Sequence, residues 1–164
     1  MRLFIAIPFD DEMKKALFDM QEELRKIGMT GRYVPISNLH LTLAFIGEYG
    51  NPDKVLDVMD AVYYEPVSIA LDGVGHFGDL YWAGIAESDA LKKYVKRLRR
   101  ELANSGIPFD RKKFSPHITL VRSARYRGEE SVSVLDIPKV SMVAESVSLF
   151  MSNRGKHGMI YTEF

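Results

Sequence analysis

The spacing of apolar residues along the chain predicts two long helices of similar length. Residues 11–27 place one apolar stripe on a helical face, and Gly28 follows as an end signal. A second stripe runs from residue 88 or 89 to about residue 105, and Gly106 follows it in the same way. Because both stripes keep a helical period, each helix is expected to bury one face.

A short helix and several strands fill the rest of the chain. The short helix begins at Pro52, after the capping residue Asn51. Its expected buried residues are Val55, Leu56, Met59, Val62 and Tyr63. The predicted strands are 2–8, 32–35 (extended), 39–46, 67–74, 80–86, 114–121, 131–134, 143–152 and 159–164. The last strand is expected to form a hairpin with residues 145–152.

The glycine-rich segment 73–78 is expected to be the turn of a hairpin. A phosphate-binding glycine loop is the alternative. The segment lacks the following helix and the terminal Lys-Ser/Thr that such a loop needs, so the turn is favoured.

These elements predict an α+β fold with mainly antiparallel strand pairs, because several of the links are short. A helix of similar length precedes each of the strands 39–46 and 114–121. The chain therefore looks like two related halves. At 164 residues it is expected to form one compact unit, residues 1–164, of two lobes.

Composition narrows the range of functions. The chain has no cysteine, which excludes disulfides and thiolate metal sites, and no apolar run approaches the length of a membrane span. The opening segment is too short for a signal peptide, so the cytoplasm is the expected location. The net charge is zero, which does not fit a general binder of polyanions.

The charges are unevenly distributed. Residues 1–82 carry 7 Lys and Arg against 13 Asp and Glu, whereas residues 83–164 carry 15 against 9. Basic residues cluster at 92–100, 111–113 and 122–127. A solvated helix face is the favoured interpretation of the first cluster, and a track for a phosphate backbone is the alternative.

A repeated tetrapeptide is the feature that indicates chemistry. His40-Leu41-Thr42-Leu43 recurs 77 residues later as His117-Ile118-Thr119-Leu120, in a chain with four His and four Thr. In a strand the His and Thr of each copy lie on one face, and the apolar residues lie on the other. If the two strands meet across a cleft, two imidazoles and two hydroxyls converge there.

Such a site suits a phosphodiester. One imidazole can accept the proton of the attacking oxygen and the other can protonate the leaving oxygen, while the hydroxyls donate to the phosphate. This scheme requires no metal. A His-x-Thr pair on one strand is usually a satisfied polar pair, but two matched copies favour a shared active site.

Two other classes of function remain open. A module that binds a phosphate ester without turnover is one, although Arg and Lys serve mere anion binding better than His. A metallohydrolase is the other, although the motif strands offer no carboxylate at ligand spacing. His76 and His157 lie in glycine-rich segments without a matching Thr and are expected to be exposed loop residues.

Five segments carry a family resemblance: residues 1–7, 33–48 around His40, 81–85, 114–122 around His117, and the end from 148 to 161. Together they resemble the two-histidine (2H) phosphoesterase superfamily, and most closely its RNA 2′,3′-cyclic phosphodiesterase branch, also called the LigT-like or 2′-5′ RNA ligase family. The resemblance covers nearly the full length.

The resemblance implies a bilobal α+β fold, in which two pseudo-symmetric lobes with outer helices each contribute one motif strand to a central cleft. It implies metal-independent hydrolysis of a 2′,3′-cyclic phosphate at an RNA end to a 2′-phosphomonoester, with no cofactor. Ligation that forms a 2′-5′ linkage is the reverse of this chemistry and remains open. The implied partner is an RNA end, with transfer RNA fragments among the candidates, and a monomer is the default expectation.

The resemblance also implies roles for individual residues. His40 would protonate the departing 3′ oxygen and His117 would activate water, or the order is reversed. Thr42, Thr119 and Arg122 would hold the phosphate. Strict alternation places Arg122 on the opposite face from His117, so its role requires a bend or bulge after Leu120. Tyr33 is the candidate for stacking on a base, with Phe45 or Trp82; packing in the core is the favoured role for these last two.

Overall fold

The computed structural model describes residues 1–128, 131–132 and 135–164. Within them the chain forms a short 3₁₀ helix at Ile36–Asn38, together with nine strands and three α-helices. In chain order these are β1 (Arg2–Pro8), α1 (Asp11–Lys26), β2 (Thr30–Tyr33), β3 (His40–Glu48), α2 (Pro52–Ala61), β4 (Val67–Phe77), β5 (Leu80–Ile85), α3 (Asp89–Asn104), β6 (His117–Arg125), β7 (Ser141–Ala144), β8 (Ser148–Gly155) and β9 (Gly158–Glu163).

The strands form two antiparallel sheets. One has the order β3-β1-β8-β9, and the other has the order β2-β6-β5-β4-β7. The first motif strand thus belongs to the four-stranded sheet and the second motif strand to the five-stranded sheet. The predicted α+β fold with mainly antiparallel pairing and two related lobes is confirmed.

The two long helices begin and end alike. The carboxylate of Asp10 accepts a hydrogen bond from the Met13 amide at 2.8 Å, and the hydroxyl of Ser88 accepts one from the Leu91 amide at 3.2 Å. Gly28 and Gly106 follow the helices with φ of +93° and +72°, a backbone that glycine adopts without strain. Each helix has 16 residues, so the expected similarity of the halves extends to their helices.

Each long helix packs against the motif strand of the other half. Helix α1, which precedes β3 in the chain, contacts β6, and helix α3, which precedes β6, contacts β3. The helices bury the stripes that the sequence predicts, including Leu17, Leu24, Leu91 and Leu98, each at most 1% exposed. The hydrophobic core therefore ties the two halves together.

The structure corrects the predicted strand 143–152. The segment forms two strands, because β7 pairs with β4 in one sheet and β8 pairs with β1 in the other. The chain crosses between the sheets at residues 145–147. Strand β9 accordingly pairs with Phe150–Gly155, not with residues 145–152.

Other element predictions need smaller corrections. Strand β4 continues through most of the glycine-rich segment to Phe77, and the turn is confined to Gly78 and Asp79. Tyr63, expected to be buried, is 75% exposed because α2 ends at Ala61, and Val58 occupies the buried face instead. Of the predicted strand 131–134, residues 133–134 lie outside the described residues.

Candidate active site

Both motif strands present their His and Thr to one cleft. His40, Thr42, His117 and Thr119 are half-buried and all line a cavity of about 560 Å³. The intervening Leu41 and Ile118 are fully buried, as strand alternation requires. The structure thus brings together the four residues that the repeated motif predicted.

A bulge follows each motif at the same place. In β3, Thr42 and Ala44 oppose the consecutive residues Ala6 and Ile5, which leaves Leu43 as an extra residue. In β6, Thr119 and Val121 oppose the consecutive residues Trp82 and Tyr81, which leaves Leu120 as the extra residue. Each bulge shifts the alternation by one position.

The bulges determine which side chain after each motif points into the cleft. Arg122, five residues after His117, lies on the same face as that histidine and lines the cavity. The bend that its expected role requires is therefore present. Phe45, five residues after His40, occupies the corresponding position and also lines the cavity, so the expectation of core packing for Phe45 is wrong.

The His40 ring is fixed by both of its nitrogens. Nδ1 lies 2.6 Å from the carbonyl oxygen of Asn38, and Nε2 lies 2.8 Å from Oγ1 of Thr42. A carbonyl can only accept, so Nδ1 carries a proton and donates it; in the neutral ring Nε2 then accepts from the threonine hydroxyl. The neutral ring thus presents a basic Nε2 on the cleft side.

Burial is the main cause of a lowered pKa at His40. The positive charges of Arg122 and His117 lower it further, and the hydrogen bond to the Asn38 carbonyl acts in the opposite direction. The net result is a lowered pKa, so the neutral ring is favoured over the imidazolium. An anion placed next to His40 would favour the imidazolium.

His117 has the same backbone anchor. Its Nδ1 lies 2.7 Å from the carbonyl oxygen of Ser115, again two residues before the histidine. This bond fixes the same tautomer as in His40, with Nε2 free for proton transfer. The matching anchors place two equivalent imidazole nitrogens on the cleft from opposite lobes.

Aromatic rings support each histidine. The His40 ring lies 4.8 Å from Phe4 and 5.3 Å from Tyr161, between ring centroids. The His117 ring lies 5.1 Å from Phe77 and 6.5 Å from Trp82. These contacts restrict ring rotation, which keeps each Nε2 directed at the cleft.

Two long side chains cross between the halves and bind the bulges. Nε2 of Gln21, on α1, donates to the carbonyl oxygens of Leu120 (2.9 Å) and Val34 (2.8 Å). Arg99, on α3, donates from Nε and one terminal nitrogen to the carbonyl oxygen of Leu43, at 3.2 and 3.0 Å. Each residue is the eleventh of its 16-residue helix. Each helix therefore braces the bulge that follows the other half's motif.

The sequence does not single out Gln21 or Arg99. The available signal is their equal position in two helices of equal length, but the bulge carbonyls that they bind, those of Leu120 and Leu43, lie 99 and 56 residues away in the sequence. Asn38 was also missed, although its place two residues before His40 matches that of Ser115 before His117.

The cleft is basic where the second half of the chain forms its wall. Its wall there includes Arg99, Lys112, Lys113 and Arg122, with Asp110 as the one acidic residue among the lining residues of the described chain. The second of the predicted basic clusters, 111–113, thus reaches the cleft. Such a surface favours an anionic ligand.

The remaining candidates lie outside the cleft lining. Tyr33 donates from its hydroxyl to the carbonyl oxygen of Met29 at 2.8 Å, and the Arg25 guanidinium covers its ring at 3.9 Å from the centroid. This placement argues against the stacking role suggested for Tyr33. Trp82 is half-buried behind His117, and its Nε1 is buried without a hydrogen-bond partner among the described residues.

The two other histidines are exposed, as predicted, but only His157 lies in a turn, and the expectation of a loop is wrong for His76. His76 is at the end of β4, where its ring stacks on Tyr81, and His157 is in the turn between β8 and β9. Across residues 1–128, 131–132 and 135–164 there is no group of three or more His, Cys, Asp or Glu that could hold a metal ion. Nor is any helix of this part of the chain long and apolar enough to cross a membrane.

Comparison with known proteins identifies relatives over nearly the whole chain. The 2′-5′ RNA ligase superfamily matches residues 19–156. The RNA 2′,3′-cyclic phosphodiesterase of Thermotoga maritima is 31% identical, over 98% of this chain and 91% of the relative. The Escherichia coli protein of the same name is 32% identical, over 75% of this chain and 72% of the relative.

Solved structures share the fold. Escherichia coli LigT in its apo form matches with a TM-score of 0.82 at 26% identity, over 99% of this chain and 94% of that chain. A Thermus thermophilus protein matches with a TM-score of 0.79 at 27% identity, over 100% of this chain and 95% of that chain. The resemblance read from the sequence is confirmed, and the chain belongs to the 2′-5′ RNA ligase superfamily.

Proposed function

We propose that the protein hydrolyses the 2′,3′-cyclic phosphate at an RNA end to a 2′-phosphomonoester, by acid–base catalysis without a metal or other cofactor. The observation that carries the proposal is the pair of histidines with identical Nδ1 anchors, which open on one cleft from two matched strands. Relatives named RNA 2′,3′-cyclic phosphodiesterase support the reaction class. A solved complex of Escherichia coli LigT with 3′-AMP supports a nucleotide as ligand.

The two imidazoles divide the proton transfers. Nε2 of His117 accepts a proton from water as the water oxygen bonds to phosphorus. The bond between phosphorus and the 3′ oxygen breaks, and protonated His40 donates the Nε2 proton to that oxygen. The 2′ bond remains, so the product is a 2′-phosphomonoester; His117 then returns its proton to solvent and His40 regains one.

The hydroxyls and Arg122 hold the phosphate. Thr42 and Thr119 lie beside their histidines and donate to non-bridging oxygens. For Thr42 this means exchanging its hydrogen bond with His40 Nε2 for one with the phosphate, since a protonated Nε2 no longer accepts. Arg122 supplies positive charge to the phosphate.

Substrate binding prepares His40 for its role as the acid. Its lowered pKa favours the neutral ring in the free protein, whereas a phosphodiester anion beside it favours the imidazolium. The same lowered pKa is the observation that favours the reversed order, in which His40 is the base. Replacement of the leaving oxygen by sulfur separates the two orders, because a thiolate leaves without a proton and so needs no acid.

Phe45, and not Tyr33, is the residue placed to stack on a base. It lines the cleft at the position that corresponds to Arg122, and its ring is half-buried. An aromatic face at this place can stack on the terminal base without sequence preference. Ligation to a 2′-5′ linkage would use the same site and the same cyclic phosphate, with the 5′-hydroxyl of a second RNA end attacking phosphorus in place of water and the 3′ oxygen leaving as before.

The remaining expectations concern the cellular context. RNA ends, with transfer RNA fragments among them, are the expected substrates, and the protein is expected to act as a monomer in the cytoplasm. Size-exclusion chromatography with light scattering measures the oligomeric state. A dimer would contradict the expectation of a monomer without affecting the chemistry.

Incubation with an RNA oligonucleotide ending in a 2′,3′-cyclic phosphate, in excess EDTA, tests the proposal. Chromatography that resolves 2′- from 3′-phosphate ends should show the 2′ product alone. Activity that needs an added divalent ion would indicate a metallohydrolase instead. Tight binding of the RNA without turnover would indicate a binding module.

A further inference from the structure

A second cavity adjoins the cleft on one side. It has a volume of about 510 Å³ and lies on the face of the four-stranded sheet formed by β1, β3, β8 and β9. His40, Thr42, Phe45, Arg122 and Tyr161 line both cavities. Neither His117 nor Thr119 lines the second one. This sheet-face cavity is therefore reached from the side of His40.

The sheet-face cavity carries two further cations. Arg2 and Arg154 line it, both side chains are exposed, and neither guanidinium is paired with a carboxylate in the part of the chain that the structure describes. Glu48, also in the lining, already bonds the terminal ammonium of Met1 at 3.1 Å. The lining of the cavity thus has a net positive charge, and two of its guanidinium groups can bind an anion.

Aromatic surface accompanies these charges. The Arg2 guanidinium lies over the Phe45 ring at 5.0 Å from its centroid, which holds it beside the cavity. Tyr161 forms part of the opposite wall, on β9. Guanidinium groups interleaved with rings on an open sheet are typical of surfaces that bind single-stranded nucleic acid.

The proposed reaction determines which way the RNA leaves the site. The proton donor must lie beside the 3′ oxygen, so the terminal ribose lies on the side of His40 and the attacking water on the side of His117. The RNA continues in the 5′ direction from that ribose. It then passes the sheet-face cavity, whose lining includes His40 but neither His117 nor the lysines Lys112 and Lys113.

We propose that the sheet-face cavity binds the nucleotide before the terminal one, with Arg2 and Arg154 on the phosphate that joins the two. This inference rests on the proposed function, and specifically on His40 as the acid. Its consequence is a preference for RNA ends over free nucleoside 2′,3′-cyclic phosphates.

Two substrates and two pairs of variants test the preference. The substrates are a short RNA ending in a 2′,3′-cyclic phosphate and the matching nucleoside 2′,3′-cyclic phosphate. The first variant combines Arg2→Gln with Arg154→Gln. The control combines Lys112→Gln with Lys113→Gln, which removes the same charge from residues that line the active-site cleft but not the sheet-face cavity.

The ratio of kcat/KM for the RNA to kcat/KM for the nucleoside is the readout. We expect the arginine pair to lower this ratio at least ten-fold, mainly through KM, and the lysine pair to leave it within two-fold of wild type. A ratio that does not change in the arginine pair overturns the proposal. A ratio that falls in the lysine pair instead also overturns the proposal, and it would assign the role of the acid to His117.

A binding measurement keeps the inference separate from the reaction. The RNA bearing a 2′-phosphate end, compared with the nucleoside 2′-phosphate, needs no turnover. The wild-type affinity for the RNA should depend more steeply on salt than that of the arginine pair, by about 0.7 in the log–log slope for one phosphate contact. If the wild type turns over neither substrate, the proposed function fails. Equal salt slopes for the wild type and the arginine pair would in addition reject the proposed phosphate contact in the sheet-face cavity.

Discussion

Replacement of Gln21 by Met tests whether the α1 brace holds the second motif strand. Gln21 is 1% exposed, and its Nε2 donates to the carbonyl oxygens of Leu120 and Val34. Met has a similar volume and helix propensity but no N–H, so Gln21→Met removes both hydrogen bonds with little change in packing. The Leu120 carbonyl still accepts a hydrogen bond from the Val34 amide at 2.9 Å, whereas the Val34 carbonyl loses its hydrogen bond from Gln21 Nε2.

The size of the effect follows from these contacts. Two lost hydrogen bonds cost about 1 kcal/mol each, and a buried carbonyl without a donor costs roughly 1–3 kcal/mol. Burial of an apolar side chain in place of an amide offsets part of this, which leaves a loss of about 2–4 kcal/mol in the free energy of unfolding. For a chain of this length the midpoint of thermal unfolding should fall by roughly 5–15 °C.

Calorimetry and single-turnover kinetics together provide the assay. Lys15→Met is the matched control, because Lys15 is exposed on the same helix and its ion pair with Asp19 contributes little. In Gln21→Met the rate of the chemical step should fall at temperatures where the protein remains folded, because the bulge that directs Arg122 loosens. A midpoint within 2 °C of the Lys15→Met control, or an unchanged chemical step, would refute the role of the brace.

Further variants test the site from other sides. His40→Ala and His117→Ala should each lower kcat by about three to four orders of magnitude with the circular dichroism spectrum unchanged; near-wild-type turnover in either would remove that histidine from the mechanism. Arg122→Gln should lower kcat/KM about 100-fold, whereas the exposed Arg125→Gln should not, and equal effects on kcat/KM would contradict the proposed phosphate contact. Because the folded state lowers the pKa of His40, folding favours the neutral ring, so this contribution to stability is present above about pH 6.5 and is lost as the pH falls. Urea unfolding of His40→Asn should therefore show a smaller loss of stability between pH 7 and pH 5 than the wild type, and parallel curves for the two proteins would contradict this.

The motif and the fold class could be read from the sequence because both depend on local periodicity. Alternation alone places His40 with Thr42 and His117 with Thr119, and the repeated tetrapeptide indicates that the two strands share a site. The helix stripes and their glycine end signals predict α1 and α3 to within one residue at each end.

What the sequence could not supply depends on tertiary contacts. The bulges at Leu43 and Leu120 have no local signal, since leucine has no preference for a bulge, and they alone bring Phe45 and Arg122 to the cleft. The bulge carbonyls that Gln21 and Arg99 bind, those of Leu120 and Leu43, come from the opposite half of the chain. The break at residues 145–147 arises because β7 and β8 join different sheets, and the sheet that a strand joins cannot be read from its own sequence.

The most direct test of the account uses an RNA end whose 2′,3′-cyclic phosphate has sulfur in place of the 3′ oxygen. A thiolate leaves without a proton, so this substrate needs the base but not the acid. His40→Ala should hydrolyse it at a rate within about ten-fold of wild type, whereas His117→Ala should remain deficient by about three orders of magnitude. Rescue of His117→Ala instead would reverse the roles of the histidines, and rescue of neither would contradict acid catalysis by this pair.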